Sequence, residues 1–305
     1  GVLFALEELH KNFSAEVLVS TMAASAVADY IAVNIIGLRP VFDFDVEHRI
    51  PLRLYWAVVL LGVILGILGV LYNKLLDKMQ DFFDKFDSKF ISIGIMLVIS
   101  FLMMFIYPTV LGSGNNLVKV ISDGKFTLMA LAVLFVAKLF FSTGSFGTGT
   151  PGGIFLPLLV IGAITGGLYS TFLSTAFGVE EYYIKGFVII AMAGFFSAIV
   201  RAPITGVILI TEMTGNFMTL LSLVSASLVA YVVADLLGGE PVYDQLMHRR
   251  QRKKVESGSG KPDHDYLADV YSKSDKKYVK KRISIRERKV VIDSSIHIGS
   301  MMDGH

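Results

Sequence analysis

Gly147-Thr-Gly-Thr-Pro-Gly-Gly-Ile-Phe-Leu-Pro157 leads into an uncharged, mainly apolar run that lasts through Phe177. Glycines and prolines at this density interrupt a helix, so the stretch closes one element and opens another near Ile154. The run Ile154–Phe177 reaches the roughly 20 residues that cross a hydrocarbon core about 30 Å thick. A helix opening behind glycines leaves its first N–H groups and its positive dipole end aimed at whatever lies in front of it. That arrangement binds anions. In a membrane it does so without a full charge, which would hold chloride too tightly and is costly to bury. The same residues also read as a plain break between two helices, and spacing alone leaves both readings open.

Further runs of this kind lie on either side, at Trp56–Leu71, Phe90–Ile106, Leu128–Phe141 and Leu220–Leu237. The chain is 53% hydrophobic and only 18% charged, with a mean hydropathy of +0.62, whereas a soluble domain carries about 25% charged residues. The expected fold class is therefore an all-α polytopic membrane protein. Gly37–Pro51, Pro108–Asn116, Ser142–Gly153, Arg201–Gly206 and Thr214–Asn216 punctuate it. Some of the resulting pieces are short, notably Gly206–Glu212 and Phe187–Val200, which predicts a bundle of tilted and broken helices. Leu71–Phe86 mixes charge with apolar residues at helical spacing and reads as a helix leaving the membrane, with Leu75, Met79, Phe82 and Phe86 on one face.

The net charge of +2 conceals an asymmetry, because Arg249, Arg250, Arg252, Lys253, Lys254 and a second cluster from Lys273 to Arg282 all follow the last apolar run. A basic segment in that place predicts a cytoplasmic carboxy terminus. It reads as a solvated linker, open to anionic lipid headgroups and not to nucleic acid. The transmembrane domain is set at 1–245, a basic polar linker at 246–286 and the start of a soluble domain at 287–305, where Lys289-Val-Val-Ile-Asp-Ser-Ser-Ile-His-Ile298 reads as a strand. With no cysteine in the chain, disulfides and thiol catalysis are excluded. The opening Gly1-Val-Leu-Phe-Ala-Leu6 reads as the interior of a helix, so the chain is expected to be part of a longer one.

Gly1-Val-Leu-Phe-Ala-Leu-Glu7 recurs weakly as Gly206-Val-Ile-Leu-Ile-Thr-Glu212. Two transporter halves are implied, with the first half mostly missing. Glu7 and Glu8 end an apolar helix, where ionisable groups suggest function, and a partly desolvated carboxyl can work as a proton relay. They equally read as a helix-end pair meeting water beside His10 and Lys11. Glu212, beside Thr211, Thr214 and Asn216, reads as a structural hydrogen-bonding group. Lys138 and Arg201 read as pairing with buried carboxylates or reaching for the interface, and not as touching substrate. Tyr243 can donate one neutral hydrogen bond to an anion or serve as an interfacial tyrosine. Gly112-Ser-Gly-Asn-Asn116 reads as a turn.

Pro151-Gly-Gly-Ile-Phe-Leu-Pro157, Arg201-Ala-Pro-Ile-Thr-Gly-Val-Ile-Leu-Ile-Thr-Glu-Met213, Gly239-Glu-Pro-Val-Tyr243 and Gly1-Val-Leu-Phe-Ala-Leu-Glu-Glu8 resemble, in order and spacing, the chloride channel (CLC) family. The resemblance implies a homodimer formed through transmembrane helices, each subunit having its own pore built from two inverted repeats. It places chloride at Gly153 and at the amides of Ile154 and Phe155, with the Tyr243 hydroxyl closing the site from the cytoplasmic side. It implies proton transfer at Glu8, a position usually not acidic in members that are channels, so exchange is favoured over a passive chloride channel. It gives Glu7, Glu212 and Arg201 structural or interface roles. The transported ions, chloride and protons, are implied without any cofactor, in the inner membrane of a prokaryote. The residues after Lys289 are similar to the start of a regulatory carboxy-terminal domain of the kind found on potassium-uptake proteins.

The family's Gly-Ser-Gly-x-Pro serine motif and its Gly-Lys/Arg-Glu-Gly-Pro motif belong upstream of Gly1. Ser113 lies in the wrong half to replace that serine. The chain is therefore expected to hold half of an ion site and not to transport alone. An intramembrane enzyme would need a nucleophile or a metal-ligand spacing such as His-Glu-x-x-His, and neither is present. A scaffold without transport leaves the glycine break before Ile154 unexplained.

Overall fold

The computed structural model describes residues 1–9, 15–35, 37, 41–42, 48–86, 88–112, 114–124, 126–150 and 152–256. The chain divides into two compact units, Gly1–Pro241 and Val242–His305. The first contains α1 (Val2–Phe4), which passes into a π-helical turn at Ala5–Leu9, then α2 (Ala15–Ile35), α3 (Tyr55–Phe83), α4 (Lys89–Ile106) and α5 (Asn115–Ser122). It continues with α6 (Leu128–Gly147), α7 (Phe155–Phe177), α8 (Ile184–Val200), α9 (Pro203–Thr214) and α10 (Leu220–Leu236). Within the second unit the described element is α11 (Val242–Glu256). No strand occurs among the described residues, and the strand expected at 289–298 and Ser113 lie outside them.

Six helical segments among the described residues are long and apolar enough to cross a membrane: Ala15–Ile35, Leu52–Phe83, Lys89–Ile106, Leu128–Gly147, Phe155–Phe177 and Glu181–Val200. Two differ from the sequence expectation. α2 is span-length although no apolar run marks it, because Glu16, Asp29 and Asn34 dilute its hydropathy. Phe187–Val200 is not a short piece, since a 3-10 turn at Glu181–Tyr183 extends α8 backwards. α9 does stay short: at 12 residues it is roughly 18 Å long.

The amphipathic stretch after Leu71 is the unbroken continuation of α3, and its buried face is Tyr72, Asn73, Leu76, Gln80 and Phe83. The expected face of Leu75, Met79, Phe82 and Phe86 is wrong by one position. The register is inherited from Leu61, Leu65 and Gly69, which continue at helical spacing into Tyr72 and Leu76.

α8 is the core, with every residue from Gly186 to Val200 buried against α7, α10, α3 and α9. A helix apolar all round belongs in such a position. Lipid offers apolar side chains as good a solvent as protein does, so helix pairing in a membrane relies on close packing of small residues. Gly162 and Gly166 on α7 provide it: a Cβ there would stand 2.9 Å from the Ala191 carbonyl oxygen and 2.7 Å from that of Phe187. Gly62 and Gly66 do the same for α3 against α10, meeting the carbonyl oxygens of Ala226 and Ala230 at 2.9 Å.

The break between α8 and α9 follows from local chemistry. Arg201 caps α8 in the left-handed region at φ 70°, Ala202 lies outside the helical region at φ −119° and ψ 76°, and Pro203 opens α9. Proline disfavours the helical region for the residue before it and suits the first helical position.

Candidate functional site

α6 ends at Gly147, and the turn that follows is organised by Thr148. Its hydroxyl donates to the Ser145 carbonyl at 2.8 Å and accepts from the Thr150 N–H at 3.4 Å. Gly149 sits at φ +74°, a conformation that only glycine adopts without strain. Gly152 and Gly153 are exposed, and a Cβ on either would meet nothing within 4 Å. Ile154 then caps α7, whose first intrahelical bond runs from the Leu158 N–H to the Ile154 carbonyl at 3.2 Å. The amides of Ile154, Phe155 and Leu156 precede that bond, and Pro157 has no N–H. No acidic side chain occupies this first turn, so the positive end of α7 is not neutralised from within its own helix.

In front of it lies a cavity of about 230 Å³, lined by Gly152, Gly153, Ile154 and Pro157 on the α7 side and by Lys138, Ser142 and Ser145 on α6. The Phe155 ring turns away and packs edge-on against Phe196 at 5.6 Å. Lys138 is 1% exposed. Its ammonium donates to the carbonyls of Val110 and Gly112 at 2.7 and 2.8 Å. The expected buried carboxylate partner is replaced by backbone, and the side chain does not reach for an interface. Ser142 meets the hydroxyl of the fully buried Tyr72 at 3.3 Å.

Sequence reasoning passed over Ser142 and Ser145 as lining groups. The signal was present, because Lys138, Ser142 and Ser145 recur at the spacing of one α-helical face. What the spacing alone does not tell is which neighbour that face meets.

Glu7 and Glu8 sit on the π-helical turn, and the two carboxylates have different surroundings. Glu7 accepts from the N–H groups of Ile204 at 3.2 Å and Thr205 at 2.6 Å, so it caps α9 from another helix. Glu8 is only 5% exposed, and the reading of a helix-end pair facing water does not hold for it. The two copies of the weak repeat therefore meet, since Glu7 of the first holds the start of the helix that carries the second. Glu212 is exposed near the end of α9, and its carboxylate makes no hydrogen bond among the described residues.

Arg201 joins three elements. Its guanidinium donates to the Tyr231 carbonyl at 2.8 Å, to the Ala234 carbonyl and to the Gly239 carbonyl at 2.9 Å. The carboxylate near it, Asp235 at 3.9 Å, is 72% exposed, so the expected pairing with a buried carboxylate gives way to capping of α10. Asn73 adds bonds to the Ile199 and Glu240 carbonyls at 3.2 and 2.9 Å. Tyr243 is the second residue of α11, in its first turn and half-buried.

Residues 1–235 match the family model described as "Voltage gated chloride channel". A relative named H(+)/Cl(-) exchange transporter ClcA from Vibrio cholerae is 35% identical over 256 residues, covering 82% of this chain and 55% of the relative. The protein of the same name from Yersinia pestis is 31% identical over 270 residues, covering 84% and 55%. The chain thus spans about half the length of the curated relatives it matches. The crystal structure of a slow cyanobacterial Cl−/H+ antiporter superposes with a TM-score of 0.74 at 28% identity, covering 82% of this chain and 60% of that one. Shared sequence over 1–235 and a shared arrangement of helices agree: the chain belongs to the voltage gated chloride channel family.

Proposed function

We propose that the protein containing this chain carries chloride across a membrane in exchange for protons. The observation that carries the chloride half is the open N-terminus of α7, where the amides of Ile154 and Phe155 precede the first intrahelical bond behind an unshielded glycine pair. Amides of this kind hold a halide by partial charges and let it go again, which conduction requires. The proton half rests on Glu8, a carboxyl withdrawn from solvent at the end of the first helical segment, since an ionisable group inside a membrane bundle is by default a candidate for function. The names of the relatives from Vibrio cholerae and Yersinia pestis support exchange, the runner-up being a passive chloride channel. The assembly is proposed as a homodimer joined through transmembrane helices in the inner membrane of a prokaryote, with α11 on the cytoplasmic side.

The test is chloride efflux from liposomes holding the intact protein, with external pH recorded together with it. Exchange requires proton uptake opposite to the chloride leak, persisting against a proton gradient. Chloride flux with no proton movement would establish the channel, and no anion flux would overturn both readings.

A further inference from the structure

We propose that the cavity between α6 and the start of α7 is a charged anion subsite, in which Lys138 supplies the attraction and Ser142 a side-chain hydrogen bond. It rests on the chloride reading of the α7 amides and adds a second component to it. Lys138 is buried, and it pairs with no carboxylate among the described residues. Two of its three ammonium protons are committed to the Val110 and Gly112 carbonyls. Those carbonyls fix where the charge stands and share part of it, but they do not cancel it. A buried cation without a counter-ion is costly, and a cavity at its side is where a mobile anion can offset that cost.

The rest of the lining suits a small anion. Ser142 and Ser145 lie on the same face of α6 as Lys138, and Gly152, Gly153 and Ile154 close the opposite wall. Among the described residues no carboxylate lines the cavity. The hydroxyls of Tyr72 and Ser142 stand 3.3 Å apart and either can donate; in the arrangement where Tyr72 donates, the serine's own proton is free to turn toward the cavity. An entering halide therefore meets one shared positive charge and a hydroxyl before the neutral amides of α7. Backbone carbonyls hold the cation in the wall and share its charge, so the halide is attracted without being trapped.

This chain has no cysteine, so a thiol introduced at Ser145 is the only one within it, and labelling of the unsubstituted protein is subtracted as background. Ser145→Cys, in the intact protein in liposomes and with the unsubstituted protein as blank, is treated with sulfonate-bearing and trimethylammonium-bearing methanethiosulfonate reagents. The anionic reagent should react faster by about tenfold after correction for intrinsic reactivity, the order expected for one nearby charge in a partly desolvated site. Lys138→Arg should keep that preference and Lys138→Met should abolish it. Chloride should slow the anionic reaction relative to gluconate at equal ionic strength, a measurement that needs no change at Lys138 and stands even where Lys138→Met fails to fold. Equal rates for the two reagents, or no protection by chloride, would overturn the subsite. Loss of anion flux in the liposome assay, with labelling still charge-selective, would count against transport and not against the subsite.

Discussion

The carboxylate of Glu7 accepts the N–H of Thr205 at 2.6 Å, across a sequence separation of 198 residues. A helix N-terminus that lacks its own side-chain cap is completed by an acid from the other copy of the repeat. Glu7→Ala should destabilise the protein by about 1–3 kcal/mol, because two charge-assisted bonds are lost at a partly buried helix end. Glu7→Gln should lose less. Thermal unfolding in detergent measures both, and equal, negligible shifts would show that the cap contributes nothing.

Glu8 differs from its neighbour in being withdrawn from solvent. Glu8→Gln keeps the shape and removes the titratable proton. In liposomes, proton movement should fall to background while chloride movement continues. Unchanged proton coupling would take the relay away from Glu8.

Gly153 stands in open space one residue before the cap of α7. Gly153→Asp should place a tethered carboxylate on the free amides, in competition with chloride. Chloride flux should drop by about tenfold or more. Because an acid at a helix N-terminus is itself favourable by about 0.3–1 kcal/mol, the melting temperature should hold or rise. A variant that loses flux and stability together would point to misfolding and not to competition.

Gly166 has no room for a side chain, since a Cβ there would fall 2.7 Å from the Phe187 carbonyl oxygen and from the Val188 Cα. Gly166→Val should cost about 1–3 kcal/mol or more, because backbone cannot give way as a flexible side chain does. Gly94 on α4, with nothing within 4 Å, is the control, and Gly94→Val should be nearly neutral. Folded yield and unfolding temperature separate the two.

Arg201→Met should destabilise by about 2–3 kcal/mol, since three carbonyls from Tyr231 to Gly239 lose a charged donor. Arg201→Gly would relieve the left-handed backbone at φ 70°, yet it loses the same donors. It should therefore remain less stable than the parent. A Gly variant as stable as the parent would show that backbone strain, and not capping, dominates at this position.

Much of the fold is legible in the sequence because a membrane imposes a coarse rule, long uncharged runs separated by glycine and proline. α3, α4, α6, α7 and the short α9 all follow it. α2 escapes the rule, since its polar residues hide a span-length helix. The buried face of α3 beyond Leu71 also escapes, because there it packs against α6 and α8 and local charge does not set its register. At the candidate site, the glycine break before Ile154 located the open N-terminus of α7 by chemistry that depends on neighbours in sequence alone.

The partners of Glu7, Lys138, Ser142 and Arg201 lie between 26 and 198 residues away along the chain. No local pattern encodes which carbonyl or amide a buried charge will find. By itself, the sequence determined that this is a membrane bundle with an open helix N-terminus behind glycines. The tertiary structure decided that a buried lysine faces that opening, that Glu7 caps α9 while Glu8 is withdrawn, and that Arg201 answers to backbone carbonyls. The physical reason is that propensity and hydropathy act over a few residues, whereas the satisfaction of buried charge is settled only when distant helices pack.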